Sequence, residues 1–171
     1  MSRHKARHPF HARLLEPPQD MVVLALFACM LLAYVFFSEH VLGYAPCPLC
    51  WYQRYVWFAI IPAALLAFAI PKKPLRVGVS VLLLASFSVA LYHAGIEYRW
   101  WQGPDTCAGD PQSTFDDLEA LRAFLYQQDI VRCDDITWAL FGISMAGYNA
   151  ILSLVLAILI ILNGMRPQRH A

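Results

Sequence analysis

Four long apolar runs dominate this chain, and few folds can hold them. Met21 to Phe37 is unbroken, seventeen residues without a charged or amide side chain. That is near the short limit for crossing a hydrocarbon core of roughly 30 Å, and the softer stretch Ser38 to Gly43 can extend it. A cleaved signal peptide is the competing reading, because the run follows a basic N-terminus. The run is long for that role, however, and Ser38-Glu39-His40 offers no small-x-small cleavage site. A second run spans about Trp51 to Ile70, with Gln53 and Arg54 near its start. Pro71-Lys72-Lys73-Pro74 then makes a tight turn into a third, Leu75 to about Ile96. The fourth runs from about Trp138 to Leu162 and carries Asn149 in mid-span; Gly142, Ala146 and Asn149 lie near one helical stripe suited to close packing.

Composition points the same way. Of 171 residues, 59% are hydrophobic and 15% charged, whereas a soluble domain carries about 25% charged residues. A core of this size cannot absorb the excess; a bilayer can. The expected fold is an all-α integral membrane protein, a four-transmembrane-helix bundle forming one domain over residues 1–171. Its spans are expected at about 21–37, 51–70, 75–96 and 138–162. A net charge of +1, with no basic patch interleaved with aromatics, gives no basis for binding nucleic acid.

The basic residues set the orientation. Arg3, Lys5, Arg7 and Arg13 precede the first span, Lys72, Lys73 and Arg76 lie at the middle turn, and Arg166 and Arg169 follow the last. These are nine of the thirteen Lys and Arg, and threading four helices puts them on one side. Ten of the twelve acids, Glu39 to Asp135, fall on the other. Both termini are therefore expected in the cytoplasm, with the loops at about 38–50 and 97–137 facing outward. Within the second loop, Thr114 can cap a short helix whose first turn is acidic. Phe115, Leu118, Leu121, Phe124 and Leu125 give it one apolar stripe, which suits membrane lipid or the top of the bundle.

Four of the five cysteines lie in those loops: Cys47 and Cys50 as C-P-L-C in the first, Cys107 and Cys133 in the second. In a bacterium that side is the oxidising periplasm, where disulfides persist. The fifth, Cys29, sits in the first span and reads as a small buried hydrophobe. Pro48 suits the first position of a helix, which puts Cys47 at the N-cap and Cys50 in the first turn. There the helix dipole lowers thiol pKa values, and only a thiolate is nucleophilic. Arg54 follows Cys50 by four residues and shares its helix face, where a guanidinium would stabilise a Cys50 thiolate. The rival reading of Arg54 is a snorkelling anchor at the membrane surface.

Two cysteine pairs beside a bilayer suggest a relay, since thiol–disulfide exchange moves two electrons through mixed disulfides. The electron acceptor at the membrane has to be lipid-soluble; a quinone fits, and no flavin or dinucleotide motif is present. Two alternatives remain open. One is a structural crosslink of loops; the other is a membrane metal-handling protein, since paired thiolates suit copper or zinc. No Cys–His cluster is visible beside C-P-L-C in the sequence, and nothing there fixes a tetrahedron, so no metal ligands are assigned.

The run Cys47-Pro48-Leu49-Cys50-Trp51-Tyr52-Gln53-Arg54-Tyr55 at a helix entrance closely resembles the disulfide bond formation protein B (DsbB) family of bacterial inner-membrane oxidases. So do the four spans, the wide Cys107–Cys133 pair, and Trp138 with Gly142 where the fourth span begins. The resemblance implies a membrane thiol oxidase that reoxidises a periplasmic thioredoxin-like dithiol oxidase (DsbA-like) and reduces quinone, either ubiquinone or menaquinone. It further implies that Cys50 engages the quinone with help from Arg54. Cys107 takes the mixed disulfide with the partner, and Cys133 and Cys47 carry electrons between the pairs. It places His93 and Glu97, at the outer end of the third span, near the quinone head group. The rival reading of those two is an interfacial cap. The related vitamin K epoxide reductase group would need its redox pair elsewhere in the helix order.

Orientation is tested by labelling sealed cells from outside after reduction. Cys107 and Cys133 should react, and a cysteine introduced beside Lys72 should not. Labelling of the middle turn from outside would invert the topology.

Overall fold

The computed structural model describes residues 19–104 and 132–165. Its helices are α1 (Gln19–His40), α2 (Pro48–Ala69), α3 (Lys73–Glu97) and α4 (Met145–Met165). A two-stranded antiparallel ribbon, β1 (Ala139–Leu140) and β2 (Ile143–Ser144), precedes α4. The helices have 22, 22, 25 and 21 residues. At 1.5 Å per residue they reach about 32 to 38 Å, enough to cross a hydrocarbon core. All four are long and apolar enough to cross a membrane. Hydrocarbon cannot hydrogen-bond a backbone, so apolar runs of this length are stable there only as helices. The chain is a multi-pass membrane protein built as a four-span helical bundle.

Each helix packs on the next in chain order, with α3 against α4 the most extensive contact. The inward faces carry Met21, Leu24, Ala28 and Leu32 of α1, Trp57, Ile60 and Ala64 of α2, Val79 and Leu83 of α3, and Ala157 and Ile160 of α4. Small residues among them let the helices approach closely. The outward faces are as apolar as the core, with Leu26, Met30, Phe37, Val77, Val81 and Ile158 all exposed, as lipid contact requires. Pro62 stands inside α2, a break in the helical ladder that neighbouring helices in a membrane tolerate.

Several boundaries and placements differ from expectation. Cys29 is exposed on the outer face of α1, not buried, because the helix turns its small alanines inward instead. The fourth span begins at Met145 rather than near Trp138. Residues 139–144 form the ribbon, whose turn residues Phe141 (φ 51) and Gly142 (φ 78) both adopt left-handed backbone, the geometry of a two-residue type I′ hairpin. Gly142 therefore lies off the stripe that Ala146 and Asn149 do share. Ser144 then stands at the N-cap of α4, its Oγ accepting from the Gly147 N–H at 3.1 Å. Tyr98 clamps the ribbon to α3: its hydroxyl donates to the Gly142 carbonyl and accepts from the Ser144 N–H, both at 2.9 Å. A Cβ on Gly95 would collide with the Trp101 ring, which folds back over the end of α3 and donates to the Tyr92 carbonyl at 3.0 Å. The basic tails, the helix expected around residues 114–125, and Cys107 lie outside the described residues.

At the opposite end from the cysteines, Arg76 of α3 binds Asp20 of α1 in a two-pronged pair, at 3.0 and 2.6 Å. Both are buried. The sequence reading used Arg76 only as an orientation signal; the fold also uses it to tie α1 to α3. Removing one member of a buried pair typically costs about 3 kcal/mol or more, since the other is left without its counter-charge. Asp20→Asn should therefore lower the thermal unfolding midpoint in detergent, and Asp20→Asn with Arg76→Met should recover part of the loss. An unchanged midpoint in the single variant would show that this pair holds nothing together.

Candidate functional site

The site is assembled where α2 begins, and Pro48 is the reason it begins there. With no N–H to lose and its φ already helical, Pro48 opens the helix and leaves Cys47 as N-cap, at φ −75° and ψ 169°. A cysteine in that position turns its sulfur back on the first turn. Cys47 Sγ accepts from the Cys50 N–H at 3.3 Å and lies 3.0 Å from the Cys50 sulfur. From α3, His93 Nε2 lies 3.4 Å from the same sulfur. These hydrogen bonds, the Cys50 thiol foremost, outweigh burial and hold the Cys47 thiol far below its usual range, at about 4. Sequence reasoning placed the nucleophilic thiolate on Cys50. In the free dithiol it is the Cys47 sulfur, not that of Cys50, that the Cys50 N–H and His93 both approach.

The two sulfurs face different surroundings. Cys47 is buried with Leu49, Ile96 and Cys133. Cys133 is disulfide-bonded, whereas Cys47 and Cys50 are free thiols. The ligand atoms of Cys47, His93 and Cys133 lie within 4.8 Å of one another. Residues 40 to 86 positions apart thus form a cluster that the sequence did not reveal. The expectation that no histidine adjoins the C-P-L-C motif is overturned by α3, whose outer end brings His93 alongside. Cys50 instead lines a cavity of about 360 Å³, together with Gln53, Arg54, His93, Glu97 and Trp138. Apolar side chains of α1 and α4, among them Leu31, Val35 and Leu152, form the rest of its wall.

Arg54 is buried, which argues against a snorkelling anchor. Its Nη1 donates to Glu39 Oε2 at 2.5 Å, and its guanidinium lies 4.8 Å from the Trp51 ring centre and 4.9 Å from that of Phe36. Ion pairing and ring stacking offset the cost of holding a charge inside the bundle. Glu39 was missed as a site residue, although a signal existed. It ends α1 and Arg54 lies near the start of the antiparallel α2, so both sit at one membrane depth.

His93 and Glu97 face each other one turn apart on α3, Nε2 to Oε1 3.9 Å. Ser144 Oγ donates to Glu97 Oε2. Gln53 Nε2 lies 2.7 Å from His93 Nδ1, and behind it Asn149 and Trp57 continue the polar column into the bundle. Gln53 stood in the motif without a role, and Trp57 carried no signal at all. Beside Cys133, Arg132 binds Asp134 through both oxygens at 2.9 Å and holds that carboxyl below its usual range. The charge that Asp134 would place beside Cys133 is thus partly neutralised, and in the disulfide Cys133 does not titrate.

Residues 19–163 match the family described as Disulfide bond formation protein DsbB. Proteins named Disulfide bond formation protein B are similar along most of their length. That of Marinobacter nauticus is 31% identical, covering 81% of this chain and 88% of its own. That of Polaromonas naphthalenivorans is 30% identical, covering 80% and 84%. With the match running from the start of α1 almost to the end of α4, the chain belongs to the DsbB family of disulfide bond formation proteins.

Proposed function

We propose that this protein is a quinone-dependent thiol oxidase of the bacterial inner membrane, with both termini cytoplasmic. In this reading it reoxidises a periplasmic thioredoxin-like dithiol oxidase. The observation that carries the reading is the division between the two sulfurs of C-P-L-C: Cys47 is packed against Cys133, while Cys50 opens on the cavity. A pair arranged in this way can take electrons from one side and release them on the other.

The exchange balances as follows. A partner thiolate attacks Cys107, breaking a Cys107–Cys133 bond and releasing Cys133 as a thiolate. Cys133 attacks Cys47 of an inner disulfide and releases Cys50. The second partner thiol resolves the mixed disulfide, and the freed Cys107 then displaces Cys47 from Cys133. The partner leaves oxidised, the outer disulfide is restored, and the inner pair holds two electrons as a dithiol. Free Cys47 and Cys50 beside a disulfide-bonded Cys133 correspond to that point in the cycle.

The cavity suits a quinone, being mostly apolar with a few convergent polar groups at its outer end. A quinone bound there supplies the oxidant, accepting two electrons and two protons. Cys50 presents its sulfur to that space, and Arg54, fixed by Glu39 and the two rings, supplies a positive charge at its wall. His93 and Glu97 line the same space and can orient a polar head group. A metal-handling role is disfavoured because the disulfide at Cys133 leaves only Cys47 and His93 of the cluster as ligands, where structural zinc takes four.

Purified protein in detergent, given a reduced thioredoxin-like oxidase and a soluble quinone, should consume thiols only when quinone is present. Arg54→Ala should weaken quinone use by about tenfold or more while still exchanging with the partner, and Lys should rescue only partly. Thiol loss independent of quinone would refute the proposal. The direction of the relay is tested separately. In Cys133→Ser protein a disulfide between Cys107 and the partner should accumulate on a non-reducing gel; trapping through Cys47 or Cys50 would reverse the order.

A further inference from the structure

The polar column behind His93 has a direction. Trp57 Nε1–H can only donate, and it donates to Asn149 Oδ1 at 2.9 Å. With its oxygen fixed there, Asn149 presents its NH₂ to Gln53 Oε1, at 2.5 Å. Gln53 in turn presents its own NH₂ to His93 Nδ1, at 2.7 Å. Flipping either amide would set donor against donor, or acceptor against acceptor, between side chains that are themselves buried. Reversing the whole column would aim an NH₂ at the indole N–H. Such mismatches leave buried groups unsatisfied at a cost of about 1 to 3 kcal/mol each. Ser153 Oγ, which donates to the same Asn149 oxygen at 3.4 Å, holds the amide in the same sense.

From this one-way column we infer that Trp57 and Asn149 are positioning residues that fix His93 as the neutral tautomer protonated at Nε2. Nδ1 has to accept, so it carries no proton, and the ring proton sits at Nε2 facing Cys47 Sγ. The groups facing that sulfur are Cys50 from its own helix, His93 and Glu97 from α3, and disulfide-bonded Cys133. Glu97 Oε1 lies on the same side, 3.9 Å from Nε2 and beyond hydrogen-bond reach, and the ring also bonds the Cys133 backbone. A histidine held in this form donates to the Cys47 sulfur and cannot take its proton. It serves the exchange as a hydrogen-bond donor, not as a base. The functional consequence rests on the proposed exchange at Cys47, but the tautomer itself is measured with neither partner nor quinone present.

The test is nitrogen-15 resonance of histidine-labelled protein in detergent, with the His93 signals identified by their loss in His93→Gln. An unprotonated ring nitrogen resonates far downfield of a protonated one. Wild type should show Nδ1 unprotonated and Nε2 protonated, and the conservative Trp57→Phe, which keeps the ring and deletes the donor, should blur that pattern into a tautomer mixture. Asn149→Leu should do the same. In both variants the thiolate absorbance of the reduced protein, read near the Cys47 midpoint, should also fall, by about one third if half the rings lose the Nε2 proton. A wild-type His93 protonated at Nδ1, or at both nitrogens, would overturn the inference even if neither variant folds. An unchanged single tautomer in folded Trp57→Phe would overturn the role of the indole.

Discussion

Hydrocarbon offers no hydrogen bonds, so a polar side chain carried into it by a helix has to find its partner on another helix. Here that requirement gathers the polar residues of α2, α3 and α4 into one column. It runs from Ser86 and Ser153, 2.9 Å apart in mid-bundle, through Asn149 and Gln53 to His93 and the Cys47 sulfur. Asn149 and Gln53 each have one donor side and one acceptor side. Once Trp57 commits one end, no member can be reoriented without its neighbour. In water such a chain would be loosened by competing solvent. Inside the bundle it acts as a fixed frame, and the redox cysteines sit at its outer end.

The same frame explains why two cysteines three residues apart behave so differently. Their separation places them on nearly the same helix face, yet one is an N-cap and the other is already helical. The N-cap sulfur receives the first-turn N–H and the His93 side of the column, and burial against Leu49 and Ile96 keeps it from solvent. The helical sulfur looks into the cavity between α1 and α4. Arg54 is held by its pairing with Glu39 and forms part of the same cavity wall.

Much of this was legible in the sequence. Apolar runs gave the four helices because their length and lack of charge have few other solutions. Pro48 gave the N-cap because proline is pre-organised for the first helical position. What stayed hidden depends on which residues meet across the bundle. Cys29 reads as buried from its apolar neighbours, but helix rotation alone decides which face meets lipid, and an all-apolar run does not encode that rotation strongly. The ribbon at 139–144 was absorbed into the fourth span, because Ala-Leu-Phe-Gly-Ile-Ser continues an apolar run. Only the left-handed backbone at Phe141 and Gly142 and the clamp from Tyr98 separate it. Part of what lowers the Cys47 thiol comes from His93, forty-six positions away, which no local pattern announces.

The approach of Cys47, His93 and Cys133 within 4.8 Å could serve either of two chemistries, and the oxidation state separates them. Metal binding needs thiolates that stay thiolates, with enough of them to complete a coordination shell. Disulfide exchange needs one thiolate near one disulfide sulfur, with the leaving sulfur directed elsewhere. The site has the second arrangement: one sulfur held low in pKa, a neighbour already in a disulfide, and a third, packed against both, that also lines the cavity. A coordination site would gain from directing all three sulfurs at one point. This fold instead sets the C-P-L-C pair between a disulfide-bonded Cys133 and the cavity that Cys50 lines, an arrangement suited to exchange.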